Sequence, residues 1–157
     1  MINMENNLQY LSSSTEETIK IGYKLGAEVK ARLTKQKSVI IGINGPLGSG
    51  KTTFIRGLAK CLEITTPVTS PTYQLVNNYQ SESILNNNYL KFFHIDLYRI
   101  NSIDEFNSLA LNDFIYDKGS VTIIEWADKA LDVLPDDILV VTISIRVTGD
   151  RDIILMI

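Results

Sequence analysis

Apolar residues along the chain follow two kinds of pattern. Ser38-Val39-Ile40-Ile41-Gly42-Ile43 is a continuous β-branched run of the kind that parallel sheets bury on both faces. Val121 to Trp126 is a second apolar run, and Tyr89 to Leu97 is a third that ends in polar residues. Thr72 to Tyr79 predicts a further strand. Ile138–Val147 and Asp152–Ile157, separated by Thr148-Gly149-Asp150-Arg151, predict a terminal hairpin.

Between these runs lie helical signals. Ser13 and Ser14 each have a glutamate three positions later, two overlapping capping boxes that open a helix over Thr15–Leu33. Its apolar face is expected to carry Ile19, Tyr23, Ala27 and Leu33, and Lys30, Arg32 and Lys35 complement the dipole at its end. Lys51–Leu62 reads as a second helix. Ser102 with Glu105 opens another over Ile103–Leu111, and Ala127–Leu134 reads as a short helix stopped by Pro135. Met1 to Tyr10 is polar and Asn-rich, and Asn86–Asn88 reads as a loop tip. Strands with crossover helices followed by an antiparallel tail predict an α/β fold, a three-layer sandwich around a mixed, mainly parallel sheet. At 157 residues the expectation is one domain, 1–157.

Composition narrows the function. Fifteen Lys and Arg against eighteen Asp and Glu leave a net charge of −3, which argues against a protein built chiefly to grip nucleic-acid phosphates. A single cysteine, Cys61, excludes an internal disulfide and multi-cysteine metal clusters. With no apolar h-region at the N-terminus, the expected setting is cytoplasmic. His94 is the only histidine, so a multi-His zinc site has nothing to draw on.

Gly45-Pro46-Leu47-Gly48-Ser49-Gly50-Lys51-Thr52 fits G-x-x-x-x-G-K-[ST] without mismatch, directly after a buried-type strand and at the start of a helix. Glycines let such a loop wrap a polyphosphate with backbone N–H groups, and the helix N-terminus adds its positive dipole end. Lys51 would reach the β- and γ-phosphates, and the Thr52 hydroxyl would ligate Mg²⁺. Thr53 stands beside them in the first helical turn. No N/T-K-x-D guanine reader is present: Asp117-Lys118 and Asp128-Lys129 lack both flanks, which favours ATP.

A P-loop hydrolase also needs a carboxylate at a strand end for the metal or its waters. Asp96, closing Phe92-Phe93-His94-Ile95, and Glu125, closing Val121-Thr122-Ile123-Ile124, both occupy such ends, where open α/β sheets face their ligands. The plain alternative for each is an ion pair, with Arg99 the obvious partner of Asp96. His94, Asp96 and Tyr98 share one strand face by alternation. The hydroxyls of Thr69-Ser70-Pro71-Thr72-Tyr73 either meet a γ-phosphate, as switch segments do, or cap local backbone. Trp126 either shields the site or anchors packing.

Taken together, Gly45–Thr53, Ser70-Pro71-Thr72-Tyr73, His94-Ile95-Asp96-Leu97-Tyr98-Arg99 and Ile124-Glu125-Trp126 resemble the bacterial TsaE (YjeE) family. Gly149-Asp150-Arg151 also resembles a family feature. Pro46 departs from the acidic residue often second in the family's loop, and Ile84–Tyr89 looks like a variable loop. The resemblance implies a P-loop ATPase, weak alone and stimulated by the TsaB–TsaD pair, supporting formation of N6-threonylcarbamoyladenosine at position 37 of tRNAs that read codons beginning with adenine. By that resemblance Thr52 and Glu125 hold Mg²⁺, Asp96 assists at the metal or water, Lys51 is catalytic, and Thr72 lies in a switch-like segment. The tRNA would be met indirectly, through the complex. Two rivals are a small-molecule or nucleoside kinase, which needs an acceptor site and an arginine-bearing lid, and a nucleotide-dependent binding module without useful turnover.

Overall fold

A computed structural model describes residues 7–35, 38–85 and 87–157, the side chain of Leu85 apart. The chain forms one seven-stranded sheet: β1 (Asn7–Ser12), β2 (Ser38–Asn44), β3 (Val76–Leu85), β4 (Asn88–Asp96), β5 (Ser120–Glu125), β6 (Leu139–Ile145) and β7 (Arg151–Met156). Their spatial order is β1-β7-β6-β2-β5-β4-β3. The four central strands, β6, β2, β5 and β4, run parallel, while β1, β7 and β3 add antiparallel margins. The mixed sheet and the β6–β7 hairpin are those expected from the apolar runs.

Alternation on the central strands divides the core into two layers. Val39, Ile41 and Ile43 of β2, with Val121 and Ile123 of β5, pack beneath α1 (Thr15–Leu33) and α2 (Lys51–Cys61). Ile40, Ile95 and Ile124 point the other way, into a cluster with Phe106 of α3 (Ile103–Ser108) and Ile115 of α4 (Asn112–Ile115). β2 is thus apolar on both faces because both are covered.

Helix α1 begins and ends where the caps predict. Ser14 Oγ accepts from the Glu17 amide at 3.1 Å, and the Glu17 carboxylate accepts from the Ser13 amide at 2.6 Å. Its buried face, however, is Ile21, Leu25, Val29 and Leu33, whereas Tyr23 and Ala27 are exposed and Ile19 is half-buried. The face is rotated because glycines belong to it. A Cβ on Gly22 would lie 2.1 Å from Phe54 O, and one on Gly57 would lie 2.0 Å from Ile19 O. The two helices touch backbone to backbone, and a pattern that counts only large apolar side chains misses that seam.

Other expectations change in detail. The N-terminal region is polar as read, yet Asn7–Ser12 forms a strand, because β7 offers a free edge with which Leu8 pairs opposite Leu155. Of the polar N-terminal region and the Asn-rich loop tip, Met1–Asn6 and Asn86 lie outside the described residues. The strand predicted over Thr72–Tyr79 starts only at Val76, since Gln74 and Leu75 amides turn back to Pro71 O at 2.9 and 2.7 Å. The Ile103–Leu111 helix stops at Ser108, ahead of the left-handed Ala110 at φ 51°. Ala127–Leu134 is two 3₁₀ turns, Ala127–Lys129 and Leu131–Val133, rather than an α-helix.

Gly57→Ala is expected to force α1 and α2 apart and lower stability by about 2 kcal/mol or more. Urea unfolding of the two proteins checks this, and equal midpoints would contradict the backbone seam.

Candidate active site

The loop from Gly45 to Gly50 leaves β2 at the sheet centre and enters α2. Gly45, at φ 153°, is pressed against β6: a Cβ there would lie 2.4 Å from Ile143 O and 2.8 Å from Ser49 Oγ. Gly48 and Gly50 adopt φ 78° and 98°, in the region that glycine enters without strain. Gly50 is the N-cap of α2 and supplies no side-chain cap, so the helix presents its first N–H groups uncapped. Uncapped N–H groups and the positive end of the helix dipole beside a glycine loop are suited to meeting negative charge.

A cleft of about 490 Å³ opens over this loop. Leu47, Gly48, Gly50, Lys51, Thr52 and Thr53 line one side, with Ser70, Thr72, Asp96, Tyr98, Glu125 and Trp126 opposite, and Arg151 reaches it from the β6–β7 hairpin. Of the residues expected at the site, Gly45, Pro46 and Ser49 do not line the cleft. The Gly45 and Pro46 carbonyls accept from Lys51 Nζ at 2.9 and 3.1 Å. Ser49 is fully buried, and its hydroxyl has no partner among the described residues.

Lys51 is 5% exposed, and its Nζ lies 4.4 Å from the centre of the Trp126 ring. Burial pushes its pKa below the ordinary lysine value, against the pull of Glu125, Asp96 and Asp128 towards the charged form. The carbonyls and the indole face thus hold the ammonium where three carboxylates keep it attractive to a proton. Trp126 itself takes φ 60°, and its amide donates to Ile43 O at 2.9 Å, fixing the turn that follows Glu125.

Both strand-end carboxylates enter the cleft from adjacent strands, Asp96 being the register partner of Glu125. They are 4% and 3% exposed. Neither pairs with arginine or lysine within salt-bridge distance among the described residues. Asp96 accepts from Thr72 Oγ1 at 2.7 Å, Ser70 Oγ at 3.2 Å and the Tyr98 amide at 2.9 Å. The alternative partner, Arg99, instead lies 4.8 Å over the Tyr73 ring. Glu125 Oε1 is bonded to His94 Nε2 at 2.8 Å. The Thr52 hydroxyl and the second Glu125 oxygen have no hydrogen-bond partner among the described residues, which leaves both free for a hard cation.

Of the set His94, Asp96 and Tyr98, the first two share the face that looks towards α2. Tyr98 lies beyond the end of β4 and packs against Trp126, the ring centres 5.4 Å apart and the planes tilted by 50°. The reading of residues assigned no separate role to Arg151, whose Nε donates to Ser49 O at 3.4 Å. Its signal was only its place after a glycine turn; the hairpin's register brings it 102 positions back to the loop.

Fold and site define a class: an α/β protein with a glycine-rich loop between the central strand and its helix, faced by two carboxylates at neighbouring strand ends. The chain belongs to the TsaE family, whose model, described as threonylcarbamoyl adenosine biosynthesis protein TsaE, matches residues 12–153. A Treponema pallidum relative named tRNA threonylcarbamoyladenosine biosynthesis protein TsaE is 34% identical over 91% of this chain and 94% of its own. The Bacillus subtilis protein of the same name is 33% identical over 93% and 83%. The crystal structure of Bacillus subtilis YdiB superposes with a TM-score of 0.70 at 24% identity, covering 98% of this chain and 86% of that one, and speaks for the fold. Among the described residues no helix is long and apolar enough to cross a membrane.

Asp96→Ala removes the acceptor that ties the Ser70–Thr72 segment to β4. Amide exchange at Gln74 and Leu75 is expected to speed up about ten-fold, the equivalent of ~1.4 kcal/mol of local stability. Exchange at the wild-type rate would mean that the Pro71 turn holds the segment alone.

Proposed function

We propose that this chain is a Mg²⁺-dependent ATPase that supports the TsaB–TsaD pair in forming N6-threonylcarbamoyladenosine at position 37 of tRNAs reading codons beginning with adenine. The observation that carries the reading is the single cleft shared by the glycine loop, Lys51, Thr52 and the paired strand ends Asp96 and Glu125. The loop from Gly45 to Thr53 binds the phosphates, its backbone and the α2 N-terminus meeting their charge. Lys51 gives up its carbonyl partners and brings its ammonium to the β- and γ-phosphates, its desolvated position making that charge more effective than in water.

Thr52 and Glu125 hold the metal. Their unpartnered oxygens are hard donors of the kind Mg²⁺ takes, and when bound the ion neutralises developing phosphate charge. Asp96 orients water or the metal shell. Because the same carboxylate holds Ser70 and Thr72, it also sets the position of a segment that can answer to the γ-phosphate. No chemistry on tRNA is assigned to this chain; with a net charge of −3, contact with tRNA is left to the partner proteins.

Weak turnover alone fits a cleft whose mouth stands open. Leu47 and Tyr73 are 76% and 87% exposed beside it, apolar surface that a partner would cover while excluding water. Arg56, Arg146 and Arg151 are bound to Val68 O, Asp152 and Ser49 O, so they do not gather into the lid a kinase would need.

Phosphate release from Mg·ATP, with and without the TsaB–TsaD pair of the same organism, tests the reading. Strong stimulation that Glu125→Ala abolishes is the expected result; a phosphorylated acceptor in place of free phosphate would make the protein a kinase. Lys51→Ala should weaken ATP binding by roughly ten-fold or more, the loss of one charge-assisted contact. Calorimetry with Mg²⁺ checks this, and unchanged affinity would remove Lys51 from the phosphate site.

A further inference from the structure

Glu125 meets a cost that the cleft alone does not explain. Its carboxylate is 3% exposed, and a carboxylate that deep needs a donor or a cation. Lys51 contributes attraction from a distance, yet forms no salt bridge with it among the described residues. The hydrogen bond comes from His94, fully buried on β4, at 2.8 Å. The register explains the meeting: Asp96 lies opposite Glu125 and His94 opposite Ile123, so the glutamate reaches back along the shared face, under α2, to the imidazole one step behind Asp96.

The direction of this bond follows from its surroundings. An ionised carboxylate only accepts, so Nε2 carries the hydrogen and donates. Nδ1 is buried with no partner, and a second N–H there would have nothing to bond. The ring therefore meets the carboxylate through Nε2. Such a contact fixes the rotation of the carboxyl group, whereas lysine or arginine at the same place would form an ion pair with the carboxylate and compete with a metal ion. With Oε1 engaged, the remaining oxygen is the one Glu125 offers to the cleft.

We infer that His94 is a positioning residue, which holds Glu125 through Oε1 so that the second carboxylate oxygen is presented to the Mg²⁺ of a bound nucleotide. This rests on the Mg²⁺-nucleotide reading given above. Outer partners of metal-ligating carboxylates typically govern metal affinity by about 10–100-fold.

The test is calorimetric titration of Mg²⁺ into the full chain saturated with ADP, beside ADP binding in EDTA. His94→Leu keeps the volume without a donor, and His94→Gln keeps an N–H that reaches Oε1. The expected result is a Mg²⁺ midpoint raised about 10–100-fold in His94→Leu, near wild type in His94→Gln, and ADP affinity in EDTA unchanged in both. A Mg²⁺ midpoint in His94→Leu equal to wild type would overturn the inference while leaving the Mg²⁺-nucleotide reading intact. So would equal weakening in Leu and Gln variants, which would point to packing. Absence of Mg²⁺ binding to the wild-type ADP complex would overturn the underlying reading and this inference with it. Should His94→Leu fail to fold, His94→Asn takes its place, since its amide is one methylene too short to reach Oε1; the same three outcomes decide.

Discussion

The contact on which the site's placement depends is the one between α1 and α2, where main chain meets main chain. At Gly22 and Gly57 there is no room for a methyl group, so the helices sit closer than side-chain packing would let them. That closeness presses α2 onto β2 and β5, and Phe54, Ile55 and Leu58 are wholly buried as a result. A helix immobilised in this way has an N-terminus that cannot drift. The glycine loop is then stretched between two fixed points, the end of β2 and the first turn of α2, and its third boundary is Gly45 against Ile143 O. Preorganisation of a backbone anion site is inherited from the packing beneath it.

The same packing accounts for the cost and the use of the polar strand ends. His94, Asp96 and Glu125 continue the face on which Phe92, Val121 and Ile123 are core. They are buried because the sheet continues under α2, and polar because the helix ends there and a cleft begins. Each carboxylate is held by side-chain or main-chain hydrogen bonds: hydroxyls and an amide for Asp96, an imidazole for Glu125. Two carboxylates at adjacent strand ends with no arginine or lysine salt bridge among the described residues concentrate negative charge. The nearby ammonium of Lys51 is held by carbonyls and by an indole face instead. Oppositely charged groups are thus kept close but not paired, which is the arrangement that suits a polyanion bound together with a divalent cation.

What could be read from residues divides along physical lines. The β-branched runs and the serine caps foretold β2, β5, the β6–β7 hairpin and the bounds of α1, because each rests on local periodicity or a local hydrogen bond. The loop glycines and the strand-end acids were also visible, since each lies at a junction between patterns. The buried face of α1 was misread because Gly22 and Gly26 share it with Ile21, Leu25 and Val29 and turn it toward α2. The strand at Asn7–Ser12 was missed because β7 supplies its reason, some 140 residues later. The start of β3 was misplaced because the Pro71 turn and Asp96 hold Thr72 out of the sheet. Arg99 was an obvious partner for Asp96 by proximity in sequence, yet hydroxyls from 24 and 26 positions away took that place.

Asp96 shows why the last of these matters for function. An aspartate paired with a neighbouring arginine would be a fixed structural ion pair, indifferent to what occupies the cleft. An aspartate that instead holds Ser70 and Thr72 couples a carboxylate in the cleft to the conformation of an exposed segment bearing Tyr73. The bonds to the segment are two, at 2.7 and 3.2 Å, each worth about 1 kcal/mol. That is strong enough to order the segment and weak enough for a ligand contact of ordinary strength to redirect it. Any signal from the cleft to a partner on its rim has here a physical carrier, with the charge at one end and the exposed aromatic ring at the other.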